Sequence, residues 1–209
     1  MVFVMKKLVL YPALFGMIGG VLKGLCLAVV WILYPQGRDN YVNTALLYIS
    51  QVLFAMSICM ARGAIEHSAS LLKTGALIGI VSGVLATSAI VVILYIIGGA
   101  DLTLFDHAFV NGLFLGGAVG IVCGMGSNDR RALYFVVGFC AGGVASSSLH
   151  LSMAIADITA MLVWKLSSSL DLAMLYGKLV VYPLDGITQS VLIWFSGLRP
   201  SNWRDFTEI

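Results

Sequence analysis

Glycine recurs at every fourth position, as Gly112, Gly116, Gly120 and Gly124, inside one uninterrupted apolar run. The same spacing returns as Gly75, Gly79 and Gly83, and again as Gly138 and Gly142. Residues four apart lie on one face of an α-helix. In water such a helix is poor, because each glycine costs about 1 kcal/mol relative to alanine. In a bilayer the balance changes. Lipid tails give helices no hydrophobic reason to associate, and a stripe of small residues lets two backbones approach and pack. The fold class expected is therefore all-α: a polytopic bundle of closely packed membrane helices.

Composition agrees. Of 209 residues, 60% are hydrophobic and 11% charged, with a mean hydropathy of +0.99. A soluble domain carries roughly 25% charge, so this chain has too little polar surface to coat a globule in water. Net charge is only +2 and no basic run occurs, which excludes a nucleic-acid partner. Cys26, Cys59, Cys123 and Cys140 all lie in apolar runs without a C-x-x-C pair, so they read as packing residues. Lys6 and Lys7 precede an apolar stretch that superficially resembles a signal peptide. That stretch is too long, is interrupted by Lys23 and lacks a cleavage site, so it reads as an uncleaved first span.

A span needs about 20 apolar residues. Six segments of a single integral membrane domain, 1–209, qualify: 8–34, 44–61, 74–97, 105–125, 132–153 and 172–197. Breakers separate them at Pro35-Gln36-Gly37, Gly98-Gly99-Ala100-Asp101 and Gly126-Ser127-Asn128-Asp129. The fifth apolar stretch runs on to Trp164, too far for one upright helix; it either tilts or leaves the bilayer near Met153 as a surface helix. With a cytoplasmic N-terminus, eight basic residues fall on the cytoplasmic side: Lys6, Lys7, Arg62, Lys73, Arg130, Arg131, Arg199 and Arg204. Arg38, Lys165 and Lys178 fall outside. This positive-inside bias supports six spans with both termini cytoplasmic. Trp31, Tyr34, Trp164, Trp194 and Trp203 lie near span ends, as interfacial anchors do. The short tail after Arg199 leaves no room for a soluble domain, so the expected place of action is the membrane, with the bacterial plasma membrane as the expected location.

Polar residues at membrane depth are the candidates for function. Counted inward at about 1.5 Å per residue, Lys23, Gln51, Asn111, Ser146, Ser147, Ser148 and Asp185 cluster near the midplane, with His150 close by. A charge there costs at least about 2.5 kcal/mol and should face the interior with a partner. Lys23 and Asp185, similar in counted depth and opposite in sign, are expected to pair, with Asn111 and the serines lining the same pocket. The alternative is structural: Lys23 snorkels outward and Asp185 repairs backbone disturbed by Pro183.

Enzyme chemistry is not expected. Serine and histidine on adjacent turns of one helix lack the approach of a hydrolytic triad. His67, His107 and His150 cannot share a metal at their expected depths, and no phosphate-binding glycine loop is present. No metal and no cofactor are therefore expected. Asp101 and Asp106 read as flanking the N-terminal end of the fourth helix. Lys7-Leu-Val-Leu-Tyr-Pro12 and Lys178-Leu-Val-Val-Tyr-Pro183 echo one another, but an inverted repeat of three spans would pair the first helix with the fourth, not the sixth.

The residues thus point to binding or passage of a small solute or ion, with Lys23, Asn111, Ser146, Ser147, Ser148, His150 and Asp185 as the site. The alternative is a scaffold whose glycine-zipper faces dock other helices. The nine glycines at four-residue spacing are expected either to pack the bundle or to meet a partner, with a second copy or other membrane subunits as the expected partners. The length of the four-glycine ridge argues for the latter.

Overall fold

The computed structural model describes residues 2–33, 41–96, 104–125 and 130–195. These form seven helices: α1 (Val2–Leu33), α2 (Tyr41–Ile65), α3 (Ala69–Ile96), α4 (Leu104–Gly124), α5 (Arg131–Ala145), α6 (Ser148–Ser167) and α7 (Leu170–Phe195). The expected breakers at 35–37, 98–101 and 126–129 lie outside the described residues, as do Arg38, Arg199, Arg204 and Trp203.

Three stretches are long and apolar enough to cross a membrane: Val9–Val30, Thr44–Ile65 and Ala69–Ile93. Ala108–Gly124 and Arg131–Ala145 are apolar but shorter. By length and composition the chain is an integral membrane protein. The distribution of side chains fits this. Leu77, Val136, Val144, Ile158 and Leu166 point outward, while Ser50, Ser57, Arg62, Ser82, Asp185, Gln189 and Ser190 are buried. A chain folded in water avoids large exposed apolar surface; one surrounded by lipid is solvated by it.

The bundle is ordered by which helices touch. Helix α1 packs between α2 and α7, α2 lies on α3, α3 on α4, α4 on α5, and α6 on α7. The glycines explain the closest approaches. Gly75, Gly79 and Gly83 of α3 meet the α2 backbone at Cys59, Met56 and Val52. Gly112 and Gly116 meet Gly142 and Gly138 of α5, while Gly120 and Gly124 meet Tyr134. All nine are buried against another helix of the same chain. The long ridge on α4 is therefore used within the protein, because α5 follows it through four turns, and its length no longer argues for a partner.

A further set joins α1 to α7. A side chain on Gly16 would fall on Gly186 O, one on Gly20 on Tyr182 O, and one on Gly24 would come within 3.4 Å of Lys178 O. These contacts fix an antiparallel register in which Gly16 faces Gly186 and Gly24 faces Lys178.

Two hairpins are closed by the same device. His67 and Ser168 adopt left-handed backbones, at φ 50° and 54°. The next residue in each case is a serine whose Oγ accepts a hydrogen bond from the N–H three residues on: Ser68 from Leu71, and Ser169 from Leu172, both at 3.3 Å. The left-handed residue ends one helix and the serine caps the next.

The expected fifth span is divided. Helix α5 has 15 residues, about 22 Å of rise against roughly 30 Å of hydrocarbon, and it ends at Ala145, earlier than the expected Met153. Ser146 and Ser147 keep helical dihedrals, but the Ser147 N–H reaches back only three residues, to Val144 O at 3.1 Å. The Ser146 hydroxyl donates to Gly143 O at 2.6 Å. Serine bonding to its own helix in this way bends it, and the chain continues as α6 against α7 alone among the helices it contacts extensively.

Arg62, counted in sequence as a cytoplasmic loop charge, is 2% exposed. It donates to Glu66 Oε1 at 2.7 Å, to Met125 O at 3.1 Å and to Val122 O. Carbonyls at the C-terminal end of a helix lack the full set of intrahelical donors: Val122 O accepts from Met125 N at 3.3 Å, and Arg62 adds a donor to it and one to Met125 O from α2.

Candidate functional site

A cavity of about 460 Å³ opens among α1, α2, α3, α4, α6 and α7. It occupies one end of the bundle: the C-terminal half of α1, the N-terminal half of α2, the C-terminal part of α3 and the start of α4. The opposite end is filled by Ile58, Cys59, Leu115, Val119, Val122, Cys123 and Ile193, with Arg62 fastening α2 to α4. The space is therefore a one-sided cup.

Its walls are mostly apolar, with Leu27, Leu47, Ile90, Val91 and Val181 among them. A few polar groups converge on it. Lys23 enters from α1, and its Nζ stands 4.7 Å from the ring centre of Phe54 and 5.2 Å from that of Tyr182. Two aromatic faces stabilise a desolvated ammonium by up to about 2 kcal/mol, but they accept no conventional hydrogen bond from it. Asp185 enters from α7 and is 1% exposed. Its two oxygens accept from Gln189 Nε2, one turn further along, at 2.9 and 3.1 Å. Asn111 enters from α4, and its Oδ1 is buried with no hydrogen-bond partner.

Ser50 and Thr87 also line the cup. Their hydroxyls donate to Leu47 O and Gly83 O of their own helices, at 2.8 and 2.9 Å, so each offers only acceptor lone pairs inward. Gln51 lines it as well. Asp157, exposed, and Lys178, half-buried, complete the charged lining.

Of the residues expected to form the site, Lys23, Asn111 and Asp185 share this cavity. The expected direct pairing of Lys23 with Asp185 does not form. The glycine contacts explain why: Lys23 stands level with the residue after Lys178, about 9 Å along the helix axis from Asp185 at 1.5 Å per residue. Counting inward from assumed span ends hid this offset. Ser146 is fully buried but spends its hydroxyl on Gly143 O away from the cup, and Ser147 is exposed. Neither lines the cavity. The side chains of Ser148 and His150 lie outside the described residues, as do those of Asp106 and His107.

Sequence reasoning missed Gln189, Phe54 and Tyr182. Gln189 had a readable signal, since it lies four residues after Asp185 and i,i+4 pairs share a helix face. The aromatic pair had none, because its meaning depends on where Lys23 ends. Nor was it foreseen that the polar face of α7 continues below the cup: Ser190 Oγ and Trp194 Nε1 are buried without partners in the closed half.

Among the described residues no group of three or more histidine, cysteine or acidic side chains is placed to hold a metal ion. Comparison with known protein families, curated proteins and solved structures finds no match to this chain.

Proposed function

We propose that this protein binds and passes a small polar solute, taken up in the cup around Lys23, Asn111 and Asp185. The observation that carries this reading is an unmatched buried hydrogen-bonding group in a space large enough for a ligand. Asn111 Oδ1 is a buried acceptor without a donor, and the Lys23 ammonium stands over the rings of Phe54 and Tyr182 at the cavity wall. Leaving a buried polar group unmade costs about 1–3 kcal/mol, and charge inside a membrane costs more. A purely structural bundle has no reason to retain both. Binding pockets, in contrast, are apolar clefts with a few convergent polar groups.

Passage, beyond binding, is supported by Ser190 and Trp194. Their unsatisfied groups extend the polar face of α7 into the half now filled by core. Discontinuous helices lining such a site are a transporter device, and α5–α6 is interrupted beside it. In this reading α1 to α4, α5 with α6, and α7 make six crossings. Charge bias supports cytoplasmic termini, which would set the cup on the outer face, with a bacterial plasma membrane as the proposed location.

Cysteine accessibility tests it. In a variant whose four native cysteines are replaced, Ala108→Cys and Ala173→Cys line the cup, whereas Ala118→Cys lies in the core. A membrane-impermeant methanethiosulfonate added outside intact cells should modify the first two and spare the third. Protection of all three would overturn the reading, and modification only from the cytoplasmic side would overturn its orientation.

A further inference from the structure

We infer that the solute is uncharged and carries two or more hydrogen-bond donors on an apolar body, as a primary amide or a substituted urea does. The inference rests on the solute-binding reading and names the class of its ligand. It begins with the wall of the cup to which α2, α3 and α4 bring Ser50, Thr87 and Asn111. Helix contacts set their levels. Gly83 of α3 meets Val52 of α2, so Ser50 stands level with Leu85. Ser82 of α3 donates to Phe114 O of α4 at 3.0 Å, so Asn111 stands level with Leu85 as well. Thr87 lies two residues further along α3, about 3 Å of rise. Three polar side chains from three helices thus share one level of the wall.

Acceptors dominate that level. Ser50 and Thr87 spend their hydroxyl protons on Leu47 O and Gly83 O, which leaves lone pairs only. Asn111 Oδ1 is buried with no donor. The donors at hand are the side-chain nitrogens of Asn111 and of Gln51, the next residue on α2. A primary amide meets both needs: its N–H groups supply the acceptors, and its carbonyl accepts from a side-chain amide.

Charge excludes the ions. The ionisable residues lining the cavity are Lys23, Lys178, Asp157 and Asp185, two of each sign. Asp185 acts electrostatically on Lys23, so the charges of the cup answer one another and leave no excess for a solute to neutralise. An ion would add a net charge at membrane depth, which is costly. Position acts in the same direction. Gly19 of α1 meets Phe54 and Ser57 of α2, so Lys23, one turn on, stands at the level of Ser50 to Leu53. A cationic donor there would face that ammonium, whereas the carbonyl dipole of an amide is attracted to it. A carboxylate brings no donor. Leu27, Leu47, Ile90 and Val91 supply an apolar wall for a hydrocarbon body.

The test is protection of Ala108→Cys, which lines the cup, from methanethiosulfonate in the otherwise cysteine-free protein in lipid nanodiscs. The probes are hexanamide, pentylurea, methyl pentyl ketone, hexylamine and hexanoate, each corrected for partition into empty nanodiscs. The ketone has the shape of hexanamide with a methyl group in place of the amide nitrogen, so it lacks only the donors. Hexanamide or pentylurea should halve the labelling rate at a concentration about tenfold or more below that needed for the ketone and for both ions, as expected for unmade hydrogen bonds. Asn111→Leu should bring hexanamide and the ketone within about twofold of each other, whereas a purely structural role would weaken both alike. The ketone or either ion protecting as well as the amide and the urea would overturn the inference. So would failure of every probe to protect at about 10 mM, beyond the weakest useful range of affinity. If Ala108→Cys is nevertheless labelled from outside intact cells, the solute-binding reading survives and only the ligand class falls; if it is not, the reading beneath it falls too.

Discussion

Replacing Gly116 by alanine inserts one methyl group where two helix backbones touch. The added Cβ would collide with Gly138 O and lie 2.7 Å from both the N and Cα of Gly142. Ordinary contact begins near 3.4 Å, and backbone has no flexible end to turn aside. Helix α5 must retreat, loosening the α4–α5 pairing along its length. Overpacking of this kind costs up to about 3 kcal/mol, and alanine's better helix propensity returns about 1 kcal/mol. A net loss near 2 kcal/mol lowers the melting temperature of a chain of this size by about 4–8 °C. Gly177→Ala is the matched control. There the new Cβ meets only Ala160 Cβ, at 3.7 Å, so the propensity gain stands alone and the midpoint should rise by about 2–4 °C. Thermal unfolding in detergent, followed by size-exclusion chromatography after heating, reads both. Equal shifts of the same sign in the two variants would refute the claim that α4 and α5 meet backbone to backbone.

Other perturbations follow from single contacts. Arg62→Met removes one of the donors to Val122 O and the side-chain donor to Met125 O, and takes from Glu66 its ion pair, so the protein should lose about 3–5 kcal/mol; chemical denaturation would show it. Asn111→Leu removes a buried acceptor that nothing satisfies. It should raise the thermal midpoint by a few degrees, at about 1 kcal/mol, while solute binding falls, the usual exchange of stability for function. Ser168→Gly relieves a left-handed backbone that costs a non-glycine residue about 1–2 kcal/mol. A higher midpoint is expected there, and a lower one would place the stabilisation in the serine side chain.

The sequence made the bundle legible because its two strongest signals act over short range. Apolar length marks the spans, and the four-residue repeats of α3, α4 and α5 mark the faces that meet. Both kinds of information survive without knowing the fold. The repeat Gly16, Gly20 and Gly24 carried the same message for α1 and went unread, although it sets the register of α1 against α7. That register sets how far Lys23 stands from Asp185, so the two line one cavity with Asn111 without forming the expected pair. Depth counting treats each helix as starting at a common plane, whereas glycine contacts set the true offset. Ser146 lies off the cup for a different reason. A run of three hydroxyls at membrane depth reads as a pocket lining, yet Ser146 had the carbonyl of Gly143 within reach on its own helix. Local satisfaction of that kind is invisible until the bend it produces is seen. Gln189 shows the reverse case, a site residue that i,i+4 spacing from Asp185 already announced.

The central claim is that buried polar groups in the cup exist to hold a small solute. Native mass spectrometry of the protein gently extracted from its own membranes tests this most directly. The account predicts a discrete small-molecule adduct on the wild-type chain that disappears in Lys23→Met while the protein remains folded. A wild-type chain that carries no small adduct and flies only in stoichiometric complex with other proteins would contradict it, and would return the molecule to the role of a membrane scaffold.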